Sequence, residues 1–469
     1  MAGQAEAAAD KLRAYLRELK PGARALLIAE LERGVLQDTA PAGAELVLSE
    51  LRRSLRDGAQ SARFGDPARL FFQPIEPFLV DDHPDHKHRG RIARSAIEPI
   101  WLWISNTLMP EDTKTYSDQV QQALALGDTD SVEKQARGFH DRAAARIAQM
   151  LASADDKERR RLTVQFGAAR AIEDAQALCS ILNARDSLAM MGAKLPGHIG
   201  SLAGPALEAV KSQLESPVAG KSDRFLYSLV LVMSRLALPW QLIRLATKAA
   251  NSDDAKRIAE TRYAVTVEIV LEEIDRRVRE LAADLKSGRG VAVAALLKEV
   301  HDALRGLRSE IDLPPESPWG KQLSAIRAEV SKTLSAEIEM VPGRVRRLIR
   351  SRPARDIGPG STLDADDVGE TEALIGFVAA CRNHASELAV NEVTLRTFNE
   401  LQQLLDAGTR TLLDSLRSAS PAERSFRQSQ LQAAVKFCAK VFGQEYASLL
   451  AKAGSVATTQ DSLPKVAAN

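Results

Sequence analysis

The stretch "AVTVEIVLEEIDRRVRELAADL", residues 264 to 285, decides the fold of this 469-residue chain. Its apolar side chains recur at alternating steps of three and four residues, which is the pattern of a helix that packs on another helix along a narrow seam. The seam residues are Ala264, Val267, Leu271, Ile274, Val278, Leu281 and Leu285. The stretch therefore predicts one long amphipathic helix.

A second seam follows the short glycine-bearing turn "SGRG" at residues 287–290. Its members are Val293, Leu297, Val300, Leu304, Leu307 and Ile311. Two seams joined by so short a turn must fold back on each other, so residues 253–313 are predicted to form an antiparallel coiled-coil-like hairpin. Pro314 and Pro315 end the second helix, because proline lacks an amide proton and disfavours helix in the residue before it.

The rest of the chain has the same helical character, and strand patterns are almost absent. A third seam covers Leu323, Ile326, Val330, Leu334, Ile338 and Val341. Aromatic residues are only 4% of the chain, which fits cores built from Ala, Leu, Val and Ile at helical spacing. We therefore predict an all-α protein, an elongated multi-helix bundle that contains the hairpin.

Changes in composition divide the chain into five segments. The clearest boundary is "PARDIGPGSTLDADDVG", where prolines, glycines and aspartates indicate a solvated linker. The predicted segments are an N-terminal helical region with an Asp/His-rich loop (1–128), a central helical bundle (129–352), the linker (353–369), a C-terminal helical hairpin or bundle (370–453) and a disordered tail (454–469).

Bulk composition restricts the class of protein and its compartment. With 45% hydrophobic and 27% charged residues and a net charge of +1, the chain is typical of a folded protein without a global attraction to nucleic acid. Cys179, Cys381 and Cys438 are widely spaced, which excludes a disulfide framework and favours a reducing compartment. The N-terminus predicts an amphipathic helix without the apolar core of a signal peptide, so we expect a cytoplasmic protein.

One apolar stretch, "FLYSLVLVMSRLALPWQLI" at residues 225–243, is long enough to cross a membrane. Arg235 lies at its centre and Pro239 interrupts it, and both disfavour a span. We predict a core helix that is buried on all sides and no integral membrane span; contact with a membrane surface is the alternative.

The Asp/His-rich loop, "DDHPDHKH" at residues 81–88, offers the ligand types of a divalent metal site. The candidate ligands are His83, His86, His88, Asp82 and Asp85. Pro84 interrupts a helical arrangement of the first two histidines, and side chains two residues apart, such as His86 and His88, point to different faces of a helix. A solvated loop without a cofactor is the favoured interpretation, and a metal is the alternative.

Two further histidine arrangements favour structural roles. The His140-Asp141 and His301-Asp302 dipeptides resemble pairs used by helical metallohydrolases, but neither follows an apolar run that would carry it into a core. Cys381 and His384 could form a nucleophile and a base. They lie on an otherwise apolar helix face, which predicts a core cysteine and a satisfied histidine.

A cluster of arginines in "GRVRRLIRSRPAR", residues 343–355, predicts the basic end of an amphipathic helix. The arginines are Arg344, Arg346, Arg347, Arg350, Arg352 and Arg355. They could bind an acidic protein, an anionic lipid surface or nucleic acid. Alternatively, they pair with the acids downstream, which are Asp364, Asp366, Asp367, Glu370 and Glu372.

The sequence contains no phosphate-binding glycine loop, nucleophile elbow or HExxH motif. The expected function is therefore that of a protein-interaction or scaffold protein without a catalytic site, which binds another protein or copies of itself. One alternative is a hydrolase-like metal-dependent enzyme built on the Asp/His-rich loop. The other is a binder of anionic surfaces or nucleic acid that uses the arginines.

Overall fold

The computed structural model describes Leu31, Val47 and residues 67–217, 221–286, 290–358 and 360–459. The amphipathic helix predicted at the N-terminus lies outside these residues. The described part of the chain contains seventeen α-helices, several short 3-10 and π-helical turns and a single pair of two-residue strands, which confirms the all-α prediction.

The chain divides into two compact units. The first unit contains the described residues up to Lys87 together with Arg91–Ala189. The second contains His88–Gly90 and the described residues from Met190 onward. The finer division into five segments stays a prediction.

The first unit is helical around an aromatic core. Its helices are α1 (Pro67–Phe72), α2 (Ile97–Trp103), α3 (Pro110–Ala125), α4 (Thr129–Ser153), α5 (Asp156–Phe166) and α6 (Ala171–Lys194), whose last turn belongs to the second unit. Strands β1 (Leu79–Val80) and β2 (Ile92–Ala93) pair in parallel. Tyr116 and Phe139 stack in the core with ring centroids 4.4 Å apart. Aspartate caps start two of the helices, because Asp128 and Asp155 accept hydrogen bonds from backbone amides in the first turns of α4 and α5.

The second unit begins with short helices and continues with long ones. They are α7 (Gly204–Leu214), α8 (Ser222–Met233), α9 (Ile243–Ala250), α10 (Ala255–Ala259), α11 (Ala264–Lys286), α12 (Gly290–Glu310), α13 (Pro318–Ile349), α14 (Ala365–His384), α15 (Asn391–Arg417), α16 (Pro421–Val441) and α17 (Gln444–Thr459). Neighbouring long helices pack on one another, among them α11 on α12, α13 on α15 and α15 on α16.

The two predicted seams become α11 and α12. All seam residues from Val267 to Leu281 and from Val293 to Ile311 are buried, while the ends at Ala264 and Leu285 are half-buried. Ile269 and Val270 are also buried, although they lie off the seam. The buried face of α11 is thus wider than the seam of a two-helix coiled coil, because α11 also packs on α9 and α13. The coiled-coil geometry stays a prediction.

The apolar stretch at 225–243 is buried in large part, but the prediction of one continuous helix is wrong. Helix α8 ends at Met233, and a separate 3-10 helix covers Pro239–Leu242. Between them, Nη1 of Arg235 donates hydrogen bonds to the carbonyl oxygens of Gly192 and Leu195 at 2.7 and 2.8 Å. Arg235 is accommodated because these carbonyl groups lie at the C-terminal end of α6, where they have no partner within the helix. None of the helices in the described ranges is both long and apolar enough to cross a membrane.

The C-terminal part of the chain is more ordered than its composition predicts. Helix α14 starts at Ala365, inside the predicted linker, where the Asp364 carboxylate accepts a hydrogen bond from the amide of Asp366. Helix α17 continues to Thr459 with Ala457 buried, so residues 454–459 of the predicted tail are helical. A Cβ atom at Gly454 would lie 2.4 Å from Leu431. The small residues that resemble a tail therefore permit α17 to pack closely on α16.

Candidate functional site

The six arginines lie at the C-terminal end of α13 and in the chain that follows it. Helix α13 stops at Ile349, because Arg350 adopts an extended backbone with φ −61° and ψ 131°. Arg344, Arg346 and Arg347 are thus helical, whereas Arg350 and Arg352 lie beyond the helix. Basic side chains at this end are stabilised by the negative end of the helix dipole.

A buried glutamine fixes the end of α13. The last carbonyls of an α-helix have no partners within the helix. The side-chain amide of Gln430 fills this role, since its Nε2 donates to the carbonyl oxygens of Leu348 and Arg350, each at 2.9 Å. Gln430 is fully buried in α16. Its position makes the end of α13 dependent on α16.

A buried arginine fixes the next two residues. The guanidinium of Arg427 donates to the carbonyl oxygen of Arg352 and, at 3.4 Å, to the hydroxyl oxygen of Ser351. Arg427 is only 4% exposed, and its charge is balanced by Glu423 at 3.5 Å. Together with Gln430, Arg427 holds the backbone from 348 to 352 in one conformation.

Four of the six arginines lie opposite carboxylates. Two of the acids predicted from the sequence, Asp367 and Glu370, take part in these pairs. The pairs are Arg344 with Glu370 at 3.1 Å, Arg346 with Glu400 at 3.0 Å, Arg347 with Asp367 at 3.0 Å and Arg355 with Asp356 at 3.8 Å. Glu400 belongs to α15, so the sequence around the arginines could not indicate it. These exposed pairs contribute little stability but reduce the local positive charge.

Arg350 and Arg352 differ from the other four arginines, because neither has a carboxylate partner in the described ranges. Both side chains are exposed. The guanidinium of Arg352 lies 5.1 Å from the ring centroid of Phe426, a cation–π contact that orients it without neutralising it. The two cations therefore stand on a fixed backbone with their charge available to a ligand.

These side chains line an open cavity with a volume of about 580 Å³, which we call the arginine cleft. Its lining consists of Gly343, Arg346, Arg347, Arg350, Ser351, Arg352, Pro353 and Asp356. Since Arg346 and Arg347 already pair with carboxylates, the charge of Arg350 and Arg352 is what makes the electrostatic potential in the arginine cleft favour anions. Guanidinium groups donate hydrogen bonds in a planar fork that matches the oxygens of carboxylates and phosphates.

The Asp/His-rich loop forms local contacts within the first unit. His83 and His86 are exposed, and their ring centroids lie 5.8 Å apart. The carboxylate of Asp82 accepts hydrogen bonds from the His86 ring at 3.1 Å and from the His83 amide at 2.7 Å. Asp85 accepts from the amide of Arg170 at 3.0 Å. The aspartates therefore support the turn and the start of α6.

His88 belongs to the second unit and is buried, unlike the solvated loop that the sequence favours. Its Nε2 lies 3.1 Å from Nη2 of Arg279. Since a guanidinium nitrogen can only donate, Nε2 must accept, and the lone pair that a metal would need is occupied. In the described part of the chain, no three His, Cys, Asp or Glu side chains are grouped to hold a metal ion. A metal held by the five loop residues stays a prediction.

Substituting the three loop histidines should separate their roles. Replacing His83 and His86 together by Asn should change the free energy of unfolding by less than about 0.5 kcal/mol, because both are exposed. His88→Asn should cost about 1 to 3 kcal/mol, because Arg279 loses the acceptor that buried His88 provides. Urea unfolding with and without a chelator measures both. A parent protein that loses stability with chelator, and a double variant that does not, would instead establish a metal.

The His-Asp pairs and the Cys381/His384 pair of the sequence lie in structural environments, since His140, His301 and Cys381 are buried. Nε2 of buried His140 donates to the Phe71 carbonyl at 2.9 Å, and burial lowers the pKa of His140 to about 4, so its ring is neutral at pH 7. His384 stacks on His301 with centroids 4.1 Å apart, and burial followed by the charge of His301 lowers the pKa of His384. Burial raises the pKa of the Cys381 thiol, which keeps it a poor nucleophile.

Sequence reasoning missed Arg427 and Gln430, the two residues that hold the arginine cleft. The spacing of Gln430 could have indicated its burial, because it lies four residues after Phe426 and three before Ala433, both of which are buried. A polar residue in register with core positions of a helix is expected to have a specific buried partner. The identity of that partner, the end of a helix about 80 residues earlier, is not readable from local sequence.

The chain matches no protein-family model, no curated protein and no solved structure. What the arginine cleft can bind is set by the chemistry of its own residues. Guanidinium groups donate and cannot accept hydrogen bonds, so the group that fits is an anion with several oxygen acceptors.

Proposed function

We propose that this chain is an all-helical interaction protein that binds an acidic segment of a partner protein in the arginine cleft, without a catalytic step. The observation that carries the proposal is the pair of exposed cations, Arg350 and Arg352, which have no carboxylate partner among the described residues and stand on a backbone that Gln430 and Arg427 fix. Because the backbone is already fixed, binding loses less conformational entropy, and the site is preorganised for its ligand.

The charges around the arginine cleft favour a short acidic segment over a nucleic acid or a membrane. Asp356, Asp367, Glu370 and Glu400 border the arginines and confine the positive potential to the cleft. Nucleic acid is bound through many phosphates along a basic stripe, and an anionic membrane through a broad basic face. With a net charge of +1, the rest of the chain provides no general attraction for either.

The proposal includes a cytoplasmic location and a different protein as the partner. All three cysteines are buried and unpaired, which a reducing compartment permits. Self-association through the arginine cleft is the alternative, and it would require an acidic segment of a second copy to enter the cleft.

Fluorescence polarisation with a labelled peptide rich in Asp and Glu tests the proposal. Arg350→Ala/Arg352→Ala should bind at least about tenfold more weakly than the parent, because each charge-assisted hydrogen bond contributes about 1.5 to 3 kcal/mol. Affinity should also fall between about 50 and 200 mM salt. The matched peptide with Asn and Gln should not bind.

The control variant is Arg137→Ala/Arg146→Ala, which removes two exposed arginines of α4 and changes the net charge equally. It should bind the acidic peptide like the parent. Equal losses in the two double variants would show that only net charge matters and would overturn the proposal, as would equal binding of the neutral peptide.

A further inference from the structure

Arg350 and Arg352, the two cleft cations without a carboxylate partner in the described part of the chain, set the charge of the group that the arginine cleft accepts. Arg350 and Arg352 together carry two positive charges, whereas a carboxylate brings one negative charge and a phosphate monoester brings about 1.5 to 2 at pH 7. We infer that the arginine cleft recognises a phosphate monoester on the partner, that is, a phosphorylated serine, threonine or tyrosine. This inference rests on the proposed function, because it specifies the acidic group of the same segment.

The donors in the arginine cleft also suit a phosphate better than a carboxylate. Ser351 lies between Arg350 and Arg352 in the chain, and its hydroxyl oxygen accepts from Arg427 at 3.4 Å. The hydroxyl proton therefore remains to be donated to a ligand. A phosphate presents three terminal oxygens, so it can accept from two guanidinium forks and a hydroxyl at once. A carboxylate has only two oxygens for the same set.

Arg346 and Arg347 add donors at the wall of the arginine cleft. Each donates a hydrogen bond to a carboxylate, from Nη2 of Arg346 to Glu400 and from Nη2 of Arg347 to Asp367. A guanidinium has five N–H groups, so each arginine has further donors that a ligand can use. Buried Arg427 lies behind the backbone of the cleft, where its guanidinium holds the carbonyl oxygen of Arg352.

The carboxylates at the border limit the ligand to a single phosphate. Asp356 lines the arginine cleft, and Asp367 and Glu400 lie on arginines at its wall. A second phosphate on the same ligand would meet these carboxylates and be repelled. The phosphate backbone of a nucleic acid and the headgroups of an anionic membrane would meet the same charges.

Three peptides of one sequence, with phosphoserine, glutamate or serine at the central position, test the inference by fluorescence polarisation. The phosphoserine peptide should bind at least about tenfold more tightly than the glutamate peptide, since the second charge and third oxygen add a charge-assisted contact. Inorganic phosphate should compete. The preference should be lost in Arg350→Ala/Arg352→Ala and retained in Arg137→Ala/Arg146→Ala.

The pH dependence provides a readout that general charge attraction would not give. The second pKa of a phosphate monoester is about 6, so its charge falls from about two to one as the pH is lowered from about 7.5 to 5.5. Affinity for the phosphoserine peptide should decrease over this range. The glutamate peptide, whose carboxylate stays ionised, should keep its affinity.

The possible results separate this inference from the proposed function. Equal affinity for the phosphoserine and glutamate peptides, with loss of both in Arg350→Ala/Arg352→Ala, would overturn the inference and leave the proposed function in place. No binding of either peptide would overturn both. Tighter binding to a single-stranded oligonucleotide, or to vesicles of phosphatidylcholine and phosphatidylserine, would overturn the inference in favour of those ligands. Circular dichroism of the variants must match the parent, which the exposure of Arg350 and Arg352 leads us to expect.

Discussion

Replacing Lys87 by methionine should lower the free energy of unfolding by about 3 to 5 kcal/mol, the cost of leaving a buried charge without its partner. The ammonium group of Lys87 contacts the Asp174 carboxylate and the carbonyl oxygen of Arg91, all within the first unit. Asp174 is fully buried in α6, and the Lys87 side chain is only 12% exposed. Solvent therefore cannot replace the lost interaction. Urea unfolding of parent and variant at pH 7 measures the difference.

The pH dependence of this loss has a definite sign. Burial raises the pKa of Asp174, and the charge of Lys87 opposes that rise. Without Lys87 the pKa should rise further in the folded state. A carboxyl group whose pKa is higher when folded destabilises the protein as the pH rises above its unfolded value of about 4, and this effect is relieved on acidification. The difference between parent and Lys87→Met should therefore be largest near neutral pH and shrink as the pH falls.

Two further variants control this prediction. Lys134→Met removes an exposed lysine of α4 and should change stability by less than about 0.5 kcal/mol. Adding Asp174→Leu to Lys87→Met removes the stranded charge and should recover much of the loss. If Lys87→Met and Lys134→Met have the same small effect, the pair does not support the fold in the way described.

Leu271→Ala and Leu304→Ala should each cost about 2 to 5 kcal/mol, the range for truncating a leucine in a packed core. Their exposed fractions are 0% and 1%, and they lie at corresponding seams of α11 and α12. The cost combines lost burial of apolar area with the cavity that remains. Leu395→Ala is the matched control, because Leu395 is 57% exposed on α15 and its truncation should be nearly neutral. Near-neutral results at both seam positions would mean that the seams are not packed in solution.

The seams could be predicted because helical periodicity is a local property of the sequence, and a regular apolar face must be buried somewhere. Which further residues are buried depends on how many helices surround the element. Ile269 and Val270 lie off the seam and are buried because α11 contacts other helices besides α12, among them α9 and α13. The stretch at 225–243 shows the same limit, since the partners of Arg235 are carbonyls about 40 residues earlier. Hydropathy alone could not show that the chain turns there to meet them.

The charged residues of the candidate site could be predicted from the sequence, but the distant residues that position them could not. The arginines and two of their acidic partners, Asp367 and Glu370, lie within one short stretch and could be found by inspection. Glu400 pairs with Arg346 across 54 residues and could not. The burial of His88 could not be predicted either. His88 belongs to the same Asp/His-rich stretch as the exposed His83 and His86, but its partner Arg279 is 191 residues away. Contacts of this kind depend on helix packing, which local patterns do not encode.

The hydrogen bonds from α16 to the end of α13 have a consequence for the dynamics of the protein. Gln430 and Arg427 reach the backbone of the arginine cleft only while α16 is docked. Ligand binding and the docking of α16 are thermodynamically linked. A ligand that favours the bound conformation of residues 348–352 must therefore also make the opening of α16 less favourable. Amide protons of α16 that exchange through local opening would then exchange more slowly with ligand present. Conversely, a substitution that weakens the packing of α16 would release the backbone that positions the guanidinium groups, although every arginine would still be present in the sequence.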